Sequence, residues 1–74
     1  MTPLRIGIVG ARFAAELHAV NYRPLLGAKV ELAAVCARTR ADAEAFARRH
    51  AIARVFADYR ALAASPDVDV VDIC

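Results

Sequence analysis

Cysteine, glycine and proline are all scarce in this chain, and each scarcity closes off an architecture. Three glycines and three prolines in 74 residues, within a composition 59% hydrophobic and 24% charged, exclude a disordered or low-complexity segment. At this length the chain is one small domain at most, or a piece of one. An excess of one charge is also missing. The formal net charge of +2 is spread along the sequence, too little to argue for a nucleic-acid partner. Arg38, Arg40, Arg48, Arg49 and Arg54 gather loosely in the middle third and read as a solvated helix face. Long apolar runs are absent too. The first, Ile6 to Ala11, is too short and too rich in glycine for a signal-peptide core, and nothing approaches a membrane span. A cytoplasmic location without a membrane partner is therefore expected.

The two cysteines, Cys36 and Cys74, fall at the ends of predicted strands. If those strands flank a third, they lie about two strand spacings apart, each ~4.8 Å. A disulfide needs Cα atoms within about 7 Å. Both are expected to be free thiols in a reducing compartment. Without CxxC spacing, they give no reason to expect a metal site.

What is present is an alternation of strand and helix patterns. Leu4-Arg5-Ile6-Gly7-Ile8-Val9-Gly10 is an apolar, β-branched run closed by glycine, the mark of a buried strand. An alanine-rich helix follows from Phe13 to about Asn21, with Phe13, Leu17 and Val20 forming one apolar stripe. Pro24 ends or kinks it, and Leu25-Leu26-Gly27 form the exit. Val30 to Cys36 is a second strand. Thr39, with Asp42 three residues on, opens a second helix to about His50 whose buried face is Ala43, Phe46 and Ala47. Val55-Phe56 is a brief third strand. Asp58 caps a short helix through Ala64, Ser65-Pro66-Asp67 turns the chain, and Val68, Val70, Val71 and Ile73 make a fourth strand. Such alternation predicts an α/β, Rossmann-type parallel sheet with strand order 3-2-1-4. The fourth strand lacks the helix that should cover it, so the domain reads as incomplete.

The segment that can carry chemistry is Gly7 to Ala15. A dinucleotide site needs a strand that breaks sharply into a helix, whose N-terminal amides and partial positive charge meet a pyrophosphate. Against the pattern G-x-G-x-x-G/A, Gly10 takes the first position and Ala15 the third. Arg12 stands where the second glycine is expected. Its side chain either projects outward to a phosphate or the nicotinamide side, or its presence weakens binding. A tight strand-to-helix turn with no ligand is the bland alternative.

The end of the second strand bears on cofactor choice. An acid there would hold the ribose hydroxyls of NAD. The sequence instead has Cys36-Ala37-Arg38-Thr39-Arg40, with Glu31 and Asp42 lying several residues to either side. An arginine and a hydroxyl suit a 2′-phosphate, so NADP is favoured over NAD. The plainer readings are a solvent-facing Arg38 and an ordinary N-cap at Thr39.

Other candidates are bland. His18, one turn into the first helix, reads as a surface or packing residue, and His50 complements a helix dipole. Asp67, Asp69 and Asp72 make no convincing carboxylate cluster, because alternate strand positions face opposite ways. No catalytic residue is identified in the chain.

Together, these segments resemble the N-terminal domain of the Gfo/Idh/MocA oxidoreductases. The likeness rests on Arg5-Ile6-Gly7-Ile8-Val9-Gly10-Ala11-Arg12-Phe13-Ala14-Ala15 with His18-Ala19, on Leu32-Ala33-Ala34-Val35-Cys36-Ala37-Arg38, on Asp58-Tyr59, and on Ser65 through Cys74. It implies a homo-oligomeric, two-domain enzyme that moves hydride between nicotinamide C4 and a sugar, cyclitol or related carbonyl or alcohol carbon. Residues 1–74 are then the N-terminal part of an NAD(P)-binding Rossmann domain. The catalytic histidine or lysine and the substrate domain lie outside them, and the segment alone is expected to be inactive. The candidate cofactor-binding residues are Gly10, Ala11, Arg12, Phe13 and Ala14 in the turn, and Arg38 and Thr39 after the second strand. Arg12, and Ala37 where many members have Asp, depart from the family pattern. The competing readings are a non-catalytic nucleotide-sensing or interaction module that keeps the fold, and a methyltransferase, which would want a more glycine-rich first turn.

Overall fold

The computed structural model describes residues 3–74. Four strands, β1 (Leu4–Val9), β2 (Val30–Cys36), β3 (Arg54–Phe56) and β4 (Val70–Ile73), form one all-parallel sheet in the order β3-β2-β1-β4. Helices α1 (Phe13–Tyr22), α2 (Arg40–His50) and α3 (Tyr59–Ala64) connect them, as the alternating pattern predicts. Among the described residues no helix is long and apolar enough to cross a membrane.

The sheet separates two apolar layers. On one side Ile6, Ile8, Val30, Leu32 and Val35 pack with α1 and with Ala43, Phe46 and Ala47 of α2. On the other, Ala34 and Cys36 pack against Leu62 of α3. Leu32 and Val35 share a face although they are three residues apart. The reason is a shift of register, from Ile6 opposite Leu32 to Gly7 opposite Ala34, which leaves Ala33 as an extra residue in β2. Phe46 is fully buried, and burying a side chain of that size contributes about 1.5–3 kcal/mol.

Helix α1 differs from the sequence expectation. Its stripe of Phe13, Leu17 and Val20 faces outward, and Phe13 is 80% exposed. Ala15 and Ala19 face the sheet instead. Both are buried in one layer with Ile6 and Ile8 of β1, and an alanine gives little signal in an apolar pattern. The helix ends at Tyr22, and Pro24 sits inside a single 3-10 turn, Arg23–Leu25.

Helix α2 begins as its sequence suggests, with Thr39 Oγ1 accepting the Asp42 amide at 3.1 Å. It ends on Ala51, a non-glycine residue at φ 55°, and the Ile52 amide donates back to the Ala47 carbonyl at 2.9 Å. Asp58 caps α3 by accepting the amides of Arg60 and Ala61 at 2.8 and 2.9 Å. Val68 falls just before β4 rather than in it and packs toward Leu62 and Gly7.

Both cysteines are free, Cys36 buried and Cys74 exposed. They flank β1 as expected: Cys36 pairs with Val9 across β1 and β2, and the Cys74 amide donates to the Val9 carbonyl at 3.0 Å. The outer side of β4 is open, with Ile73 77% exposed. An apolar hollow of ≈450 Å³ lies there between β4 and α3, lined by Val9, Tyr59, Ala63, Val71 and Ile73.

Candidate functional site

The chain lays β2 and β3 to one side of β1 and then returns to place β4 on the other. At such a reversal the loops leaving the carboxyl ends of neighbouring strands diverge and open a crevice. Here a cleft of ≈260 Å³ lies at that end of the sheet. It is lined by Gly10, Ala11, Arg12, Ala14 and Ala15 from the turn and α1, by Ala37, Arg38 and Asp42 from the β2–α2 connection, and by Cys74 after β4. A second hollow of ≈310 Å³ shares Gly10, Ala37, Arg38 and Cys74 and runs on past Asp58 and Tyr59.

The turn depends on glycine at position 10. Its φ of +127° is one that L side chains rarely adopt, and an added Cβ would stand 3.2 Å from the Cys74 carbonyl oxygen. Ala15, 1% exposed, fills the third position of the motif, where only a small side chain lets α1 approach.

Helix α1 has no side-chain cap at its N-terminus; Arg12 occupies the N-cap position in extended conformation. Thr39 and Asp58 cap the other two helices. The first amides of α1 therefore remain as donors at the cleft. Arg12 and Arg38 are exposed at the same place, and among the described residues neither belongs to an ion pair.

Of the sequence candidates, Gly10, Ala11, Arg12, Ala14 and Arg38 converge on this cleft, whereas Phe13 and Thr39 lie outside its lining. Thr39 is engaged as the cap of α2. Asp42, several residues past the strand end in sequence, also lines the cleft. The helix starts so close to the strand end that its first turn brings residue 42 back to the opening.

Beside the cleft, four polar side chains meet between α1 and β4. Asp72 Oδ2 accepts the Tyr22 hydroxyl at 2.8 Å and lies 2.8 Å from His18 Nδ1. Cys74 Sγ is 3.3 Å from the same nitrogen. Burial works to raise the Asp72 pKa, but hydrogen bonds from Tyr22 and His18 outweigh it and hold the carboxyl below its ordinary value. Burial and then the Asp72 carboxylate push the Tyr22 hydroxyl up to about 12 and the Cys74 thiol up to about 11. Taken singly in the sequence, His18, Asp72 and Cys74 gave no sign of this. The readable signal was that His18 and Tyr22 share a helix face and Asp72 and Cys74 a strand face.

On α1's other flank, Glu16 binds both His50 Nε2, at 2.7 Å, and Arg49, so His50 joins two helices besides complementing a dipole. Asp69 turns to Arg5, and Asp67 to Arg54 and more loosely to Arg5, away from the cleft.

The sequence profile of the Gfo/Idh/MocA group, described as an oxidoreductase family with an NAD-binding Rossmann fold, matches residues 4–74. The chain belongs to this family. It is 38% identical over 68 residues to trans-1,2-dihydrobenzene-1,2-diol dehydrogenase of Danio rerio, a match covering 92% of this chain and 20% of that protein. Its fold is similar to that of myo-inositol dehydrogenase from Lactobacillus casei in complex with NAD(H) and myo-inositol. There the TM-score is 0.87 and the identity 26%, over 99% of this chain and 22% of the other. Biliverdin reductase from Synechocystis, in complex with biliverdin and NADP+, matches with a TM-score of 0.83 and 30% identity, over 99% of this chain and 22% of that one. The Gfo/Idh/MocA chain described here thus spans about a fifth of the length of these relatives.

Proposed function

We propose that this chain is the dinucleotide-binding part of an NAD(P)-dependent oxidoreductase acting on a sugar, polyol or related carbonyl or alcohol. The observation that carries the reading is the uncapped start of α1, placed directly after the left-handed Gly10 and opening on a cleft with two exposed arginines. That donor set fits a pyrophosphate: backbone amides at a helix N-terminus, the partial charge of the dipole, and no side chain at residue 10 to hold the ligand off. Gly10, Ala11, Arg12 and Ala14 would hold the phosphates, with Phe13 at the same turn. Arg38, with Thr39 beside it, would meet the adenosine ribose. The cofactor, when bound, supplies hydride at nicotinamide C4. The chain's own part is to bind and orient it.

NADP is the favoured cofactor, because Arg38 is a bidentate donor suited to a 2′-phosphate. Asp42 on the same wall opposes that choice. The relatives' complexes include both cofactors, which supports NAD(P) as the class. Titration of the protein with NADPH and NADH tests both levels. Tighter NADPH binding that Arg38→Asp abolishes or reverses is expected. Equal affinities in the unaltered protein overturn the preference, and failure to bind either nucleotide overturns the site.

A further inference from the structure

The cluster between α1 and β4 is a different matter from the nucleotide cleft, although Cys74 borders both. We infer that His18, Asp72 and Cys74 form a binding site for a soft divalent cation, zinc by its ligand chemistry. The inference does not depend on the oxidoreductase reading.

Three kinds of donor atom converge here, an imidazole nitrogen, a carboxylate oxygen and a sulfur, all within 4.8 Å of one another. His18 Nδ1 is 2.8 Å from Asp72 Oδ2 and 3.3 Å from Cys74 Sγ, and Sγ is 3.8 Å from Asp72 Oδ1. Zinc takes nitrogen and oxygen at about 2.0–2.2 Å and sulfur at about 2.3 Å, so the edges of a tetrahedral site run roughly 3.3–3.6 Å. The nitrogen–sulfur edge already stands in that range, the nitrogen–oxygen edge needs to widen by about 0.5 Å, and the carboxylate reaches the sulfur at 3.8 Å through its other oxygen.

Hydrogen bonds join these atoms only in pairs, and the sulfur reaches the Asp72 carboxylate and carbonyl at a long 3.8 Å. A neutral imidazole nitrogen carries one hydrogen or one lone pair, so Nδ1 can serve Asp72 or Cys74 but not both. A tie between helix and strand is complete with His18, Tyr22 and Asp72, and the sulfur joins it only through longer contacts to His18 and Asp72. A cation engages all three atoms at once. Tyr22 supplies what ligating carboxylates usually have, an outer hydrogen bond that fixes their orientation, through its hydroxyl on Asp72 at 2.8 Å. Access is open, with the His18 side chain 40% exposed and Cys74 at the surface. Imidazole and thiolate select zinc over magnesium or calcium. On binding, the Cys74 thiol releases its proton to solvent, and thiolate and carboxylate together balance the ion's two charges. Water completes the fourth position, as in three-ligand zinc sites.

The test uses the nucleotide-free protein and cobalt(II) as the optical stand-in for zinc. One equivalent should give tetrahedral ligand-field bands and a thiolate-to-cobalt charge-transfer band, which added zinc abolishes. Cys74→Ser should remove the charge-transfer band and weaken zinc at least tenfold in competition with a chromophoric chelator. Tyr22→Phe should weaken it about 10–100-fold. Cys36→Ser should change neither. Cys74 is exposed, so its replacement leaves the core intact, and circular dichroism checks this for every variant. Absence of the charge-transfer band at one equivalent, or its survival in Cys74→Ser, overturns the proposal.

Discussion

The Gly10 amide donates to the Cys36 carbonyl at 2.7 Å, so the turn that leaves β1 is pinned to the end of β2. Cys74 closes the other side, with its carbonyl 3.2 Å from where a Cβ on residue 10 would stand. Gly10→Ala must therefore adopt a left-handed conformation against fixed backbone, at a cost of about 1–3 kcal/mol. It should lower the melting temperature and weaken dinucleotide binding at least tenfold. Gly7→Ala supplies the contrast. Its Cβ would meet Leu62 Cδ2 at 2.6 Å in the opposite layer, costing about 1–3 kcal/mol without touching the cleft. Calorimetry with nucleotide titration should show both variants destabilised and only Gly10→Ala impaired in binding.

Asp42 should act as a brake on NADP selectivity. It lines the same cleft as Arg38, and a carboxylate there repels a 2′-phosphate while accepting ribose hydroxyls. Asp42→Asn should raise the ratio of NADPH to NADH affinity several-fold. The helix loses a favourable charge in its first turn, at about 0.3–1 kcal/mol. An unchanged ratio in isothermal titrations would remove Asp42 from the site.

Acid should loosen α1 on both flanks. Burial raises the Glu16 and Asp72 carboxyls, yet hydrogen bonds from His50 and Arg49, and from Tyr22 and His18, bring both below their ordinary values of 4.5 and 3.8. A carboxyl depressed in the folded state adds stability that is present above the unfolded value and lost as pH falls through the folded one. Urea midpoints should thus hold from neutrality down to about pH 5 and decline below about pH 4. Asp72→Asn should flatten that decline, which a series of denaturation curves at stepped pH would reveal.

Cys74 is exposed but should be a sluggish thiol. With burial and the Asp72 carboxylate pushing it up to about 11, little thiolate exists at neutral pH. Alkylation by iodoacetamide, followed by mass spectrometry, should run slower than for an ordinary cysteine and speed up in Asp72→Asn. Cys36 is buried, and its thiol is raised by burial and then by Asp58, so it should react more slowly still. Fast modification of Cys74 in the unaltered protein would contradict this.

Much of the fold was written in local signals. Thr39 and Asp58 announce their helices because a capping side chain acts within three residues. Gly10 announces the turn because few residues reach its backbone geometry. What escaped was decided by packing. Ala15 and Ala19 carry α1's buried face, and alanines weigh little in an apolar pattern, so the larger stripe of Phe13, Leu17 and Val20 pointed the wrong way. Asp42 escaped through the geometry of a helix's first turn. The meeting of His18 with Asp72 spans 54 residues and exists only once β4 lies beside β1.

The end of α2 leads to a different conclusion, about autonomy. Ala51 holds φ 55°, a conformation that costs a non-glycine residue roughly 1–2 kcal/mol, and no residue at the helix end prefers it. The compensation comes from Ile52, 6% exposed, drawn into the layer beneath the helix. The helix is stopped from outside, by a hydrophobic anchor one residue beyond it, and its terminus is a latch that only the assembled core can close. A free peptide of this segment has no reason to stop there, so helix length itself reports whether the core around Phe46 has formed.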